Sequence, residues 1–317
     1  MKKLLSVAIL ALSLSGLTGC SKSLSPVAPP TTAFVLPTAH FTSEWRGNGT
    51  VSLSSPTGIA VDAGGNVYVA DADLNQVIKY DQNGILLGHW GQPGNGNGQF
   101  NQPYGLMIDN KGNQYVADSG NGRIQELDAN GNFVKQISAQ VSSDDRLVYP
   151  VGVVSDVADN IYVSDSTNTI FQFNSSAQFN TKWGATGITS GQFSGPMGMA
   201  IDAQGNIYVA DYQGNQITKF NPTRNTVVRW GHAGAGNGQF NGPADVKVDG
   251  NGNVYVADSG NNRIQELDGN GNFLYQWGQE APNQNKLNNP MYIALATDGS
   301  MYVSDNGNAR VMKYQLK

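Results

Sequence analysis

The chain has 317 residues, 39 of them glycine, with one cysteine and a formal net charge of −5 at pH 7. Only 14% of the residues are charged, and the surplus is acidic. That excludes a nucleic-acid binder of the usual basic kind, since phosphates demand a positive surface, and a single cysteine excludes any internal disulfide framework.

At the N-terminus, Lys2 and Lys3 precede an apolar run from Leu4 to Leu17. This is the length of a signal-peptide core and too short for a comfortable membrane span. The run ends in Leu17-Thr18-Gly19-Cys20, which resembles the bacterial lipobox. The resemblance implies a signal peptide over residues 1–19 and a lipid on Cys20, the first residue of the mature protein. It also implies a destination. Ser21 is not the aspartate associated with inner-membrane retention, so an outer-membrane lipoprotein is expected, with a cell-surface lipoprotein of a Gram-positive organism as the alternative. Residues 20–38 hold four prolines and one charge, a stiff tether that buries no core. Loss of residues 1–19 removes two lysines and leaves a net charge of −7.

From Pro56 onward the chain repeats. Equivalent prolines stand at Pro56, Pro103, Pro150, Pro196, Pro243 and Pro290, spaced by 47, 47, 46, 47 and 47 residues. A fixed period of this size marks a solenoid, propeller or array. In the first unit Ile59–Asp62 reads as a strand, Ala63–Asn66 as a turn and Val67–Ala70 as a strand. A loop at Asp71–Asn75, a strand at Gln76–Tyr80, an Asn83-Gly84 turn and a strand at Ile85–Trp90 complete it. Four short antiparallel strands per unit make one propeller blade. No stretch keeps a 3.6-residue apolar period, so few helices are expected.

The last unit, from Pro290 to Lys317, supplies only three strands. Phe41–Trp45 aligns with the fourth strand Phe273–Trp277, so the N-terminal strand is expected to complete the last blade and close the ring. The fold class is therefore all-β, a six-bladed propeller of four-stranded blades in one domain over residues 39–317. Closure leaves no free edge to template aggregation.

The units resemble NHL repeats over nearly all of residues 56–317. The resemblance rests on Gly252–Asp258 followed by Asn262-Arg263-Ile264, on Gly205–Asp211, and on Tyr115–Asp118 followed by Arg123-Ile124. It implies the fold and little about function, because the family includes ubiquitin-ligase modules, RNA binders, a peptide-amidating lyase and sensor domains of bacterial kinases.

A propeller is nearly six-fold symmetric and a ligand site is not. Residues found in every unit are thus expected to serve the blade, and departures become site candidates. Tyr68, Tyr115, Tyr162, Tyr208, Tyr255 and Tyr302 share one position and are expected to pack between blades. Asp71, Asp118, Asp165, Asp211, Asp258 and Asp305 are expected to accept backbone N–H bonds, a cation-binding ring being the alternative. Trp45, Trp90, Trp183, Trp230 and Trp277 mark outer strands.

The departures are few. Gly58, Gly105, Gly152 and Gly198 share an inner-strand position that Asp245 and Tyr292 take in units five and six. Lys247 lies two residues past Asp245 on the same face, which predicts either an internal ion pair or a polar ligand site off the channel. Tyr104, Met197 and Met291 follow their prolines and are expected at the channel mouth, as a plug or an apolar binding patch. Arg123, Arg263 and Arg310 share a position in three units, as loop clamps or ligand contacts. Tyr212 and Asp73 alter small loop residues on the same face, and Asp144-Asp145-Arg146 falls in a variant connection.

His40, His89 and His232 fall at different blade positions away from the axis, so the three-histidine zinc site of the amidating lyase is not expected. The expected function is a non-catalytic, lipid-anchored scaffold of the cell envelope. It would bind a protein or peptide, or a glycan, through the loop face around the channel mouth, without nucleic acid and without a cofactor. The alternative is a metal-dependent lyase, lactonase or other hydrolase acting in the channel, with Asp245 holding a divalent cation.

Overall fold

In the computed structural model, which describes residues 40–47, 49–138, 146–187, 191–225, 227–279 and 285–316, twenty-four strands form six antiparallel sheets of four. Cys20, the tether up to residue 38 and the pair Asp144-Asp145 lie outside the described residues. Helical structure among the described residues is confined to short 3-10 turns, and no described helix is long and apolar enough to cross a membrane.

In blade one the strands are Pro56–Val61, Val67–Asp71, Gln76–Tyr80 and Leu86–Trp90, hydrogen-bonded in that order. The inner strand begins three residues earlier than the alternation suggests, at the proline itself. Proline is tolerated as the first residue of a strand because it owes no further ladder bond there. Pro56 pairs with Asp71 and Ile59 with Val69, so a bulge spans Thr57 and Gly58. The outer strand starts one residue late because the Ile85 N–H is taken by the Asp81 carboxylate in the turn.

Those turns repeat a single device. Asp62 Oδ1 accepts the backbone N–H of Gly64 and Asn66 at 2.9 Å each, and Oδ2 accepts Asn66 Nδ2 at 2.8 Å and the Tyr68 hydroxyl at 3.1 Å. Aspartate thus folds the hairpin locally and orients the repeat tyrosine. The tyrosine ring packs in turn on the outer-strand tryptophan, Tyr68 on Trp90 and Tyr208 on Trp230, with ring centres 6.1 and 5.9 Å apart.

The apolar core lies between blades. One cluster joins Ala60, Tyr68, Ala70 and Val77 of blade one to Leu106, Val116 and Leu127 of blade two. Trp90 reaches into blade two, where its Nε1 donates to Gln114 Oε1 at 3.0 Å. A Cβ on Gly84, Gly131 or Gly271 would fall 2.4–2.7 Å from the ring of Trp45, Trp90 or Trp230, so these three turns stay bare where the neighbour's indole covers them, whereas in blade four Arg224 holds the position and lays its guanidinium over Trp183.

Ring closure occurs as expected. His40–Trp45 pairs antiparallel with Arg310–Gln315 to complete the sixth sheet. Arg310 fixes it, its guanidinium bonding Glu44 on the closing strand. Trp45 packs against Tyr302 of its own blade at 5.9 Å and Tyr80 of blade one at 6.1 Å, so one side chain bridges the seam.

Truncating this bridge should open the seam: Trp45→Ala is expected to cost about 3–5 kcal/mol of unfolding free energy, measured by urea denaturation. The turn carboxylates add a pH dependence. Asp81 is held below the ordinary 3.8 by the Ile85 N–H, and Asp128 and Asp268 by the Asn132 and Asn272 side chains. A depressed folded-state value means the contribution is present above 3.8 and is lost as pH falls through the lower folded value. The unfolding midpoint should therefore drop below pH 4, and less steeply in the Asp81→Asn, Asp128→Asn, Asp268→Asn triple variant.

Candidate functional site

The inner strands pack so closely around the axis that side chains are excluded at one position. A Cβ on Gly58, Gly105 or Gly152 would lie 2.2, 2.3 and 2.4 Å from the carbonyl oxygen of Tyr104, Val151 and Met197 on the next blade. None of these glycines has a positive φ, so space and not backbone conformation selects them. Thr57, Ser119 and Ser164 hydroxyls tie the same junctions by donating to the next blade's inner-strand carbonyls, and Ser259 ties blade five to blade six in the same way.

Tyr292 breaks this rule and fills the axis. Its ring is 3% exposed, and its hydroxyl donates at 3.0 Å to the carbonyl of Val151 on the opposite blade. Met291, Ala244 and Tyr292 are buried in one cluster, with Tyr104 and Met197 packed against it. The channel is plugged at this level. Burial drives the Tyr292 phenol well above its ordinary value, with Asp245, Tyr104 and Tyr149 adding to the effect, so the plug stays neutral and a donor.

Below the plug sits the ion pair. Lys247 Nζ lies 2.8 Å from both Asp245 oxygens and 3.3 Å from the Met199 and Val246 carbonyls. Asp245 also accepts the Ile293 N–H at 2.9 Å, which couples blade five to blade six. Blade five accommodates this carboxylate by resuming its ladder one residue early, at Asp245 opposite Ala257. A Cβ on Gly198 would fall 2.0 Å from the carboxylate, so the previous blade must remain glycine. Burial raises the Asp245 carboxyl, opposed by the Lys247 charge and its hydrogen bonds. Asp245 is wholly buried, while the Lys247 side chain keeps 25% exposure. Lys247 lines a cavity of about 240 Å³ walled by the ends of the inner strands, among them Ala60, Met107, Val154 and Ala294.

The three arginines are clamps. Arg123 Nε donates to Asp118 at 2.7 Å and its terminal nitrogens bond the Gly96 and Gln99 carbonyls and Gln136. Arg263 repeats each contact on Asp258, Gly236, Gln239 and Gln276, and Arg310 binds Asp305 and the Lys286 carbonyl. All three are buried, and so are the six aspartates, which accept the backbone N–H groups of the incoming loop, as Asp118 does from Asn101 at 2.7 Å. These groups are committed to the scaffold. Among the described residues no three His, Cys, Asp or Glu side chains converge as a metal site would require.

On the upper face, where the loops after the second and fourth strands gather, Tyr104 and Met197 are partly exposed and Tyr212 is 37% exposed. Burial raises the Tyr104 phenol, with Tyr212 adding to it, and Tyr212 lies over Gly242, where a Cβ would fall 2.9 Å from its ring. Tyr149 completes the patch, its ring 6.0 Å from that of Tyr104 and its hydroxyl donating to Gln102 Oε1 at 3.1 Å. Sequence reasoning missed Tyr149. The available signal was its place just before Pro150, where the other units carry Ser55, Gln102, Gly195, Gly242 and Asn289. The Asp73 carboxylate accepts the Ser54 hydroxyl and its backbone carbonyl accepts the Asn75 amide, both in its own blade, and Arg146 is exposed away from any cluster described above.

The NHL repeat family matches residues 53–80 and 240–267. No curated protein matches the sequence. Among solved structures, a streptogramin B lyase is 14% identical with a TM-score of 0.63, over 87% of this chain and 98% of that one. A catalytically inactive virginiamycin B lyase from Staphylococcus aureus with quinupristin is 15% identical with a TM-score of 0.60, over 86% and 84%. A protein of unknown function from Bacteroides thetaiotaomicron is 17% identical with a TM-score of 0.67, over 89% and 72%. At these identities the likeness is one of fold. The chain is a six-bladed β-propeller with NHL repeats.

The plug depends on packing more than on its single hydrogen bond. Tyr292→Phe, which removes only the bond to the Val151 carbonyl, is expected to cost about 0.5–1.5 kcal/mol in urea denaturation and to keep the channel closed.

Proposed function

We propose that this NHL-repeat propeller is a lipid-anchored scaffold of the cell envelope that holds a peptide segment of another envelope protein on its upper loop face. The observation that carries the reading is the patch of Tyr104, Tyr149, Met197 and Tyr212 seated on the closed channel mouth. Tyrosine and methionine are enriched at protein interfaces, tyrosine offering apolar area with a polar handle at low entropic cost and methionine an adaptable apolar side chain. Loops on a rigid scaffold are where binding residues concentrate. Because Tyr292 closes the axis, a partner meets a shallow, continuous floor, which suits a peptide or protein surface better than a deep-pocket substrate.

The location rests on Leu17–Cys20 and on the proline-rich residues that follow, which would hold the propeller off the lipid. The catalytic alternative has less support. The Lys247 nitrogen stands where a cation would have to bind Asp245, and Arg123, Arg263 and Arg310, the candidates for holding an anionic substrate, are bound to buried aspartates.

The test is site-specific photo-crosslinking in cells. A crosslinker replacing Tyr212 should trap discrete protein adducts that disappear in a Tyr104→Ala, Tyr149→Ala background. A crosslinker replacing Leu87, exposed on an outer strand, should not. Equal yields at both positions, or adducts unaffected by the double substitution, would overturn the reading, and a glycan partner would leave position 212 without protein adducts.

A further inference from the structure

We infer that the opposite end of the channel is a second binding site, for a small molecule with an apolar body and an anionic hydrogen-bond-accepting head such as a short-chain carboxylate. This goes beyond the upper-face reading: it concerns the other face, other residues and another class of ligand.

The cavity is built from the inner strands of blades one, two, three, five and six. Ile59, Leu106 and Val153, then Val61, Ile108, Val248 and Leu295, line it with aliphatic side chains, and polar atoms share the wall with them. Lys247 is the one charged residue lining it. Apolar side chains combined with a small number of polar side chains are the usual lining of a small-molecule site, the polar groups fixing the ligand's orientation. The volume, about 240 Å³, equals that of roughly eight liquid waters, so the ligand is small.

The sign of the head group follows from the order of charges. Asp245 is wholly buried, turned toward the Ile293 N–H of blade six and bracketed by Gly198 of blade four. Lys247 stands between that carboxylate and the cavity, a quarter exposed, with the Tyr292 ring 6.0 Å from its nitrogen. An entering molecule therefore meets the lysine before the carboxylate, and of the ammonium's contacts the two to the Met199 and Val246 carbonyls, at 3.3 Å, are the long ones. A cationic head would meet the ammonium first and be repelled. An acceptor head would take the ammonium N–H from one of the long carbonyl contacts while its hydrocarbon displaced water from the aliphatic side chains. The plug above, sealed by Tyr292, makes the cavity blind, so the head has one end to reach and the body one direction to lie. Lys247 is also the single departure at its repeat position, where the other blades carry Ala60, Met107, Val154, Ala200 and Ala294. Structural packing alone is served by those residues.

The experiment is calorimetric and thermal-shift titration of the full chain with sodium hexanoate and with hexylamine, equal in length and opposite in charge. Hexanoate is expected to bind saturably at one site and raise the unfolding midpoint, with affinity about tenfold or more above that of hexylamine. Val154→Phe fills the cavity without touching the ion pair and should abolish hexanoate binding with an unchanged circular dichroism spectrum. If that variant fails to fold, Ala294→Leu serves the same purpose. The double variant Asp245→Asn, Lys247→Met leaves no unpaired buried charge and should erase the preference for hexanoate. No saturable hexanoate binding up to about 10 mM would overturn the inference. So would equal affinity for the two probes, or binding that survives both the cavity-filling and the double variant.

Discussion

The close approach of six inner strands around one axis is the constraint on which the rest of this molecule depends. With next-blade carbonyls only 2.2–2.4 Å from where a Cβ would stand, three blades keep glycine for want of room, and a fourth keeps it against the Asp245 carboxylate. Where glycine is given up, the side chain has nowhere to go except into the channel or into a neighbour's glycine gap. Tyr292 takes the first course and spans the axis. Asp245 takes the second and lies against Gly198. The plug and the buried ion pair are thus two consequences of one packing problem.

Electrostatics follow the same division between scaffold and exception. The recurrent aspartates are spent on backbone N–H groups, and in blades two, five and six an arginine fork adds its own bonds to the loop carbonyls. A buried charge deprived of its partner costs several kcal/mol, which is why such groups come as complete networks. The acidic residues are numerous, yet the buried ring of them is inward-turned and satisfied. The pair Asp245 with Lys247 stands apart because its carboxylate is wholly buried beside the axis while its lysine keeps a quarter of its side chain exposed.

The plug also divides the molecule into two independent surfaces. Above it, aromatic and thioether side chains lie on a shallow floor among glycine- and asparagine-rich loops. Below it, aliphatic walls close on a single ammonium. Neither surface repeats with the blades, so the near six-fold scaffold carries two asymmetric features without disturbing the hairpins that support them.

Much of this was legible in the chain itself. The 46–47-residue period, the aspartate-asparagine turns and the missing fourth strand determined six blades, their strand content and closure by Phe41–Trp45, because these are local hydrogen-bonding and counting constraints. The departures at Asp245, Lys247 and Tyr292 were visible for the same reason: symmetry makes an exception stand out within one sequence. Only the tertiary structure decided what they do. That Tyr292 reaches Val151, 141 residues away, depends on two blades facing each other across the axis, which no spacing encodes. That Arg123, Arg263 and Arg310 are clamps and Tyr149 a surface partner of Tyr104 depends on which side chains the ring brings within a few ångströms. Repeat position fixes a residue's place within its blade. Its neighbours in the next blade, and across the channel, are set by closure of the whole ring.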